Sequence, residues 1–179
     1  GGVVGQLFDA TGAPTAVEFI VNGVTDNNQK DPVVAGHGTG FSAVWTSNNQ
    51  DGDGWGIFFR RFDLSGQALG ADVQVNTTSV GDQEAPDVTA LDGSGYAVTW
   101  LSPDGAAAGI WGQRLSSSGS KLGGEFKVNT APVGDDARAI IAGADGGGFV
   151  VVWCAEGIDG DSSGVLVQRF DSQGDKLYQ

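Results

Sequence analysis

The sequence predicts an all-β chain of propeller-type repeats, each with four antiparallel strands, with about three blades per chain. Three observations support this prediction. Gly accounts for 31 of the 179 residues, and its clusters separate short runs of alternating apolar residues, which is typical of strands joined by tight turns. No segment shows the 3.6-residue apolar period of a capped amphipathic helix. The sequence also repeats itself about every 54 residues.

The repeat is visible in three sets of residues that recur at nearly constant spacing. They are Trp45, Trp100 and Trp153; the pairs Val21-Asn22, Val75-Asn76 and Val128-Asn129; and Arg61, Arg114 and Arg169. A partial fourth copy, GQLFD at 5–9, matches VQRFD at 167–171. We therefore divide this single domain into units of about 10–63, 64–116 and 117–171, with a partial overlapping strand at 1–9.

Each repeat predicts four strands, named a to d in chain order. Gly-rich turns that suit hairpins follow strand a, and strand b is so apolar and β-branched that we expect burial on both faces. Asp/Gly-rich loops lead to strand c, and strand d alternates apolar and polar residues, which indicates one solvated face. The predicted ranges are 32–36, 86–91 and 139–143 for a; 41–47, 96–102 and 149–155 for b; 56–62, 109–115 and 164–170 for c; and 16–22, 71–76 and 124–129 for d.

Composition excludes several functions. With 9 Lys+Arg against 22 Asp+Glu and a net charge of −13, the chain lacks the clustered basic residues that a nucleic-acid binder needs. It has no apolar run near the ~20 residues that span a bilayer and no basic amphipathic face, so we expect no membrane insertion. One Cys supports neither an internal disulfide nor a thiolate zinc site.

Several short motifs carry a family resemblance. They are VNTT at 75–78, GDQ at 81–83, Pro86, AVTW at 97–100 and GQR at 112–114. This pattern resembles the repeat of large secreted bacterial exoproteins of the RTX-type, adhesin-like kind. The resemblance implies propeller blades and an extracellular or cell-surface location. The tandem GGxGxD nonapeptides of calcium-binding RTX domains are absent from the sequence, so calcium rolls are not implied.

The loops between strands b and c contain the best candidate metal ligands. Asp51 and Asp53 in one loop, and Asp159 and Asp161 in another, are carboxylate pairs at i and i+2 beside glycines. Calcium binds several oxygen ligands at short spacing, and Gly lets the chain wrap around the ion. A complete EF-hand loop is excluded because position 12 from Asp51 is Phe62. The sequence predicts calcium here, with plain solvated turns as the alternative.

Two tryptophans and the absence of catalytic motifs define the remaining site predictions. Trp55 and Trp111 lie at or beside the start of strand c, next to loops, where an aromatic ring can stack on a sugar; isolated aromatic residues at strand ends are the alternative. His37 is the only histidine, and the sequence contains no GxSxG, HExxH or P-loop motif. We therefore predict no catalytic residues and no enzyme activity.

These observations favour a noncatalytic extracellular module, structural or adhesive, that assembles through its blades. The alternatives are a lectin-like carbohydrate-binding β-propeller, with a glycan as partner, and the noncatalytic part of a secreted hydrolase. Because propellers close with four to eight blades and three repeats are present, we expect a homo-oligomer, most simply a dimer.

Two further expectations concern contacts between blades. We expect Arg61, Arg114 and Arg169 to pair with acidic residues of a neighbouring blade, with Asp82 and Asp135 as candidates. We also expect the last blade to end after strand c.

Overall fold

The computed structural model describes residues 1–92, 95–104, 107–130, 133–134, 137–155 and 164–177. In these ranges the chain forms three four-stranded antiparallel sheets, one two-stranded sheet and a short 3-10 helix, Asp145–Gly147, which confirms the all-β prediction. The strands are β1 Val4–Gly5, β2 Phe19–Ile20, β3 Gln29–His37, β4 Gly40–Asn48, β5 Trp55–Asp63, β6 Val73–Gln74, β7 Glu84–Leu91, β8 Gly95–Asp104, β9 Ala107–Ser116, β10 Lys121–Lys127, β11 Ala139–Gly143, β12 Phe149–Ala155, β13 Gly164–Phe170 and β14 Lys176–Leu177.

Each complete sheet is a meander whose strands pair in chain order: β3-β4-β5-β6, β7-β8-β9-β10 and β11-β12-β13-β14. We call them the first, second and third sheets, and β1-β2 the half-sheet. The first strands of successive sheets contact one another, β3 with β7 and β7 with β11, so these strands form the inner side of a partial propeller. No helix in the described ranges has the length and hydropathy needed to cross a bilayer.

The third sheet differs from the sequence-based expectation at its last strand. β14 pairs with β13 through Leu177 opposite Arg169 and Lys176 opposite Phe170, so the expectation that this blade ends after strand c was wrong. The strand escaped detection because two residues are too few to show an alternating pattern.

The sheets pack face to face through the residues of their second and third strands. Trp45 and Trp100 are almost completely buried, and Trp153 is buried as well, so the three repeated tryptophans are core residues. Trp45 belongs to the cluster between the half-sheet and the first sheet, and Trp100 to the cluster between the first and second sheets. Strand b therefore provides the packing surface between blades. Burial on both faces holds for β4 and for residues 96–100 of β8, but the expectation was wrong for β12, where Cys154 is exposed and Val150 and Val152 are half-buried because no further sheet packs on that face in the described residues.

The repeated asparagines link two strands within each sheet. The Oδ1 atoms of Asn22, Asn76 and Asn129 accept hydrogen bonds at 2.7–2.8 Å from the backbone N–H groups of Val3, Ile57 and Ile110. In each repeat the bond joins the last residue of the predicted strand d, two residues beyond β2, β6 or β10, to the start of strand c. All three asparagines are buried. Their recurrence was visible in the sequence, but this role was not, because the two bonded groups are distant along the chain.

Strand c arginines connect one sheet to the next. Arg61 donates from Nη1 to the carbonyl oxygen of Ser117 at 2.7 Å, and Arg114 donates to the carbonyl oxygen of Gln173. Both acceptors lie in the turn after strand c of the following sheet. The expectation of a neighbouring blade was right, but the expected acidic partner was wrong: Asp82 instead accepts the backbone N–H of Trp55 at 3.0 Å. Asp135 lies outside the described residues.

Candidate functional site

The first two complete sheets begin with the same backbone irregularity. The pairing register shifts just after Lys30 in β3 and just after Glu84 in β7. The next residues, Asp31 and Ala85, have positive φ angles of 51° and 50°. Such angles are strained for residues other than Gly, and bulges that redirect side chains are frequent beside functional sites. Two strained bulges at equivalent positions therefore mark the inner ends of these sheets as a candidate site.

Four charged side chains from three sheets meet at these bulges. We call Lys30, Asp31, Glu84 and Arg138 the charged cluster. Lys30 Nζ lies 2.5 Å from Glu84 Oε1 and 3.9 Å from Asp31 Oδ2, and Arg138 Nη2 lies 3.9 Å from Asp31 Oδ1. The four residues line an open cavity of about 290 Å³ together with Ala85, Leu101 and Ala137. The cluster therefore presents carboxylates and cations to one shared space.

The side chains of the charged cluster remain accessible to a ligand. The exposed fractions are 40% for Lys30, 31% for Asp31, 38% for Glu84 and 71% for Arg138. Ion pairs this exposed contribute little to folding, about 0–1 kcal/mol each. Their oxygen and nitrogen atoms can thus exchange partners with a bound molecule at small cost in stability.

A hydrogen bond between the inner strands β7 and β11 helps to position Arg138. Asp87, which follows the β7 bulge, accepts the backbone N–H of Ile141 through Oδ2 at 2.9 Å and that of Val88 through Oδ1 at 2.9 Å. Burial raises the pKa of the Asp87 carboxyl, and these two hydrogen bonds partly offset that rise. The bond to Ile141 joins β7 to β11, and Arg138 immediately precedes β11. The second and third sheets are thereby held in register at the cavity.

Of the two predicted ligand-binding tryptophans, Trp55 contacts the charged cluster. Lys30 Nζ lies 4.3 Å from the centroid of a Trp55 ring, within the range of a cation–π interaction. Trp55 is half-buried at the start of β5 and does not line the cavity itself. Trp111 packs against the apolar cluster between the first and second sheets and does not line this cavity. The structure therefore does not bring the two tryptophans together at one site.

Sequence reasoning missed the charged cluster, although the repeat contains a signal for it. Lys30, Glu84 and Ala137 occupy one repeat position, and Asp31, Ala85 and Arg138 occupy the next. Within these two positions the residue changes charge from repeat to repeat, whereas the buried Trp and Asn positions do not change. Comparing repeats for positions that vary in charge, rather than for positions that recur, would have identified the cluster.

The predicted calcium ligands that the structure describes bind other protein groups. Asp51 Oδ2 accepts a hydrogen bond from Asn76 Nδ2 at 2.8 Å, and Asp53 Oδ2 accepts one from the backbone N–H of Gly81 at 3.1 Å. Asp159 and Asp161 lie outside the described residues. The described part of the chain contains no group of three or more His, Cys, Asp or Glu side chains able to hold a metal ion. Calcium binding by these loops stays a prediction.

Comparison with known proteins identifies the fold. No protein-family model and no curated protein matches the chain. Among solved structures, it is similar to an alpha-L-arabinofuranosidase from Lactobacillus brevis, with a TM-score of 0.54, 12% identity and 98% of this chain and 69% of that chain covered. It is also similar to an endo-arabinase from Bacteroides thetaiotaomicron VPI-5482 (TM-score 0.50, 14% identity, 96% and 63% covered) and to a thermostable family-43 glycoside hydrolase (0.51, 12%, 94% and 67%). The chain thus shares the fold of these enzymes over about two thirds of their length, consistent with a partial propeller.

These similarities correct two expectations. The expectation of a noncatalytic structural or adhesive module is contradicted, because the three solved structures above, which share this fold, are an arabinofuranosidase, an endo-arabinase and a glycoside hydrolase. The expectation that the chain is not an enzyme is overturned by the same finding. Both expectations relied on motifs that are contiguous in sequence, which cannot reveal groups that meet only in the folded chain. Asp31 and Glu84 lie in different repeats, and only the packing of two sheets brings them together.

Proposed function

We propose that this chain is a carbohydrate-active propeller that binds an oligosaccharide at the charged cluster. The observation that carries this proposal is the meeting of two carboxylates, Asp31 and Glu84, with two cations at one open cavity. A pocket on which a few polar groups converge is the default hypothesis for the binding site of a folded protein. The fold shared with glycoside hydrolases supports a saccharide as the ligand.

The chemistry of the cluster suits sugar hydroxyls. Each hydroxyl can donate one hydrogen bond and accept others, so it can bridge a carboxylate of Asp31 or Glu84 and a cation such as Lys30 or Arg138. Trp55 does not line the cavity, but its ring lies 4.3 Å from Lys30 Nζ, so it supports the position of that cation through a cation–π interaction. The cavity of about 290 Å³ lies at the small end of ligand pockets, so a short saccharide is the expected occupant.

Calorimetric titration with arabinan oligosaccharides tests the binding proposal. We choose this ligand because two of the structurally similar proteins are named as arabinose-directed enzymes. We expect saturable binding that Glu84→Gln and Asp31→Asn each weaken at least about tenfold, since a buried sugar hydroxyl would lose its acceptor. Asp82→Asn, which alters a carboxylate bonded to the Trp55 backbone, is the matched control. Absence of binding across arabinan, xylan and glucan oligosaccharides would contradict the proposal.

Glycoside hydrolysis is a second candidate function, favoured by the convergence of Asp31 and Glu84 on Lys30. Glycosidases use two carboxyl groups on either side of the bond to be cleaved, one as general acid and one as base or nucleophile. The expected result is release of arabinose-containing products, measured by chromatography, and its loss in both Asp31→Asn and Glu84→Gln. Saturable binding without turnover would remove hydrolysis and leave saccharide binding in place.

An extracellular or cell-surface location accompanies this proposal. Oligosaccharides derived from polysaccharides are encountered outside the cell, and the RTX-type resemblance of the repeat implies the same location. Fractionation of cells that produce the protein from its own gene would test it, with recovery in the cytoplasm as the contradicting result.

A further inference from the structure

An apolar groove lies between the half-sheet and the first sheet. We call it the half-sheet groove; its volume is about 400 Å³. Its apolar lining comes from both sheets: Val3, Phe19 and Val21 on one side, and Val34, Phe41 and Ala43 on the other. The groove lies at a different place from the charged cluster and shares no lining residue with its cavity.

One repeat position shows what normally covers such a surface. Val34 in β3, Val88 in β7 and Ile141 in β11 occupy equivalent positions, each opposite the residue two before the repeated tryptophan. Val88 and Ile141 are 5% and 6% exposed, whereas Val34 is 67% exposed. The preceding sheet supplies inner strands a and b over Val88 and Ile141, but the half-sheet before Val34 consists of two outer strands. Val34 is thus a core position that lacks its cover in this structure.

The groove continues an interface that is already packed. Val3, Val21 and Ala43 line the groove and also belong to the buried cluster that contains Trp45 and Phe58. The apolar contact between the half-sheet and the first sheet therefore extends inward from this cluster to the groove. Strands of this repeat bury the equivalent surfaces of the second and third sheets, so two strands of the same repeat are the expected cover for the groove.

The half-sheet also has an available edge for strand pairing. Within the described residues β1 pairs with β2 alone, whereas the equivalent strand β5 pairs with β4 on one side and β6 on the other. The edge of β1 that faces the groove corresponds to the edge of β5 that bonds to β4. Exposed strand edges readily accept another strand through main-chain hydrogen bonds.

We propose that the half-sheet groove is a docking site for a β-hairpin of this same repeat, in which strand b pairs with β1 and both strands cover Val34. The hairpin completes the half-sheet to four strands and buries the continuation of an existing apolar interface. This inference is independent of the saccharide proposal, because it concerns a separate surface.

A second copy of the chain is the competing occupant. The outer face of the third sheet is also apolar, with Ile140 at 66% and Val165 at 73% exposure. Packing that broad four-stranded face against the end of another copy would produce the homo-oligomer expected from the number of repeats. It would not fill the half-sheet groove, however, because a complete sheet cannot supply two additional strands to β1.

A synthetic peptide of residues 29–48, the β3–β4 hairpin of this chain, tests the proposal directly. Added to the intact protein, it should bind saturably and raise the melting temperature by about 5–10 °C at hundredfold excess over its Kd. Hydrogen exchange should show new protection of the β1 amides. A scrambled peptide of the same composition should do neither.

Two exposed valines provide matched variants. Val34→Asp should weaken hairpin binding at least about tenfold, because it places a charge beneath the docked strands. Val165→Asp, on the opposite end of the chain, should leave binding unchanged. Because both side chains are exposed, both variants should fold, which circular dichroism of the free proteins verifies. Failure of the hairpin to bind, or equal weakening by both variants, would overturn the proposal.

Light scattering of the unliganded protein distinguishes the competing occupant. A dimer that both Val34→Asp and Val165→Asp dissociate would show that the third sheet of a second copy covers Val34, and it would overturn the hairpin proposal. A mass of one chain, about 18.2 kDa, together with hairpin binding would support it.

Discussion

The interior of the sheets and their inner ends use the same repeat in opposite ways. In the interior, equivalent positions hold the same residue, as with Trp45, Trp100 and Trp153. At the inner ends, equivalent positions hold Lys30, Glu84 and Ala137. Each sheet packs against its neighbours in the same way, so the same buried residues recur in each repeat. The inner ends of three sheets face one cavity, and different side chains there build a single asymmetric site.

The two regions also differ in what a substitution should cost. The interior residues are buried, and the repeated asparagines bond to other buried groups, so removing interior side chains leaves cavities or unpaired donors. The charged cluster is half exposed, and water can replace lost partners. Stability and ligand binding should therefore respond to different positions, and the following variants test this separation in order of decreasing effect on stability.

The largest expected effect is at Trp100. Trp100→Ala should destabilise the protein by about 3–5 kcal/mol, because it removes a fully buried aromatic side chain from the cluster between the first and second sheets. Trp55→Ala should cost much less, since Trp55 is half-buried beside Lys30. Urea unfolding monitored by far-UV circular dichroism measures both. Equal losses at the two positions would break the distinction between interior and site.

A smaller loss is expected at Asn76. Asn76→Ala removes the acceptor of the Ile57 N–H and the donor to Gln83 Oε1, both buried, and should cost about 2–3 kcal/mol. Asn28→Ala, at an exposed position, should change stability by less than about 0.5 kcal/mol. The same unfolding experiment measures the difference. If Asn76→Ala proves as mild as its control, the repeated asparagines are not part of the framework.

A third effect appears only in acid. The Ser65 hydroxyl and the backbone N–H groups of Gln67 and Ser65 hold the pKa of the Asp63 carboxyl below its usual 3.8. A lowered folded-state pKa contributes stability above the unfolded value, and that contribution is lost as pH falls through the folded pKa. The melting temperature should therefore decline below about pH 3.8.

The second sheet supplies the control for this turn, because Ser116 stands where Asp63 stands in the first sheet. Asp63→Ser should lower the melting temperature slightly at pH 6 and make its decline between pH 5 and pH 2 shallower. Identical acid profiles for the variant and the parent would show that this carboxylate contributes nothing to the turn.

The smallest effect on stability is expected at the charged cluster. Glu84→Gln and Asp31→Asn should each change the unfolding free energy by less than about 1 kcal/mol, because their ion pairs are half exposed. The same variants should each weaken saccharide binding at least about tenfold. A cluster variant that unfolds the protein, or one that binds saccharide normally, would contradict the separation between framework and site.

Much of the fold could be predicted from local sequence patterns. The two-residue alternation and the Gly-rich turns indicated the strands, and the recurring tryptophans indicated how many blades to expect. Short elements were missed: β14 has two residues, too few for a pattern. Partners were also missed. Arg61 was expected to bind an acidic side chain but binds a carbonyl oxygen of the next sheet. Every residue has a backbone carbonyl, so residue types do not reveal which one accepts a hydrogen bond.

What the sequence determined by itself is the repeating framework. Burial of one face, tight turns and the alternation of apolar and polar residues along a strand are local requirements. Every repeat contains the residues that meet them. The tertiary structure alone decided the candidate site. Lys30, Asp31, Glu84 and Arg138 belong to three repeats, and they meet because stacked sheets converge on their first strands and two bulges stand at equivalent positions. Distances between repeats depend on the angle of stacking and on backbone strain, which are properties of the assembled sheets rather than of any segment.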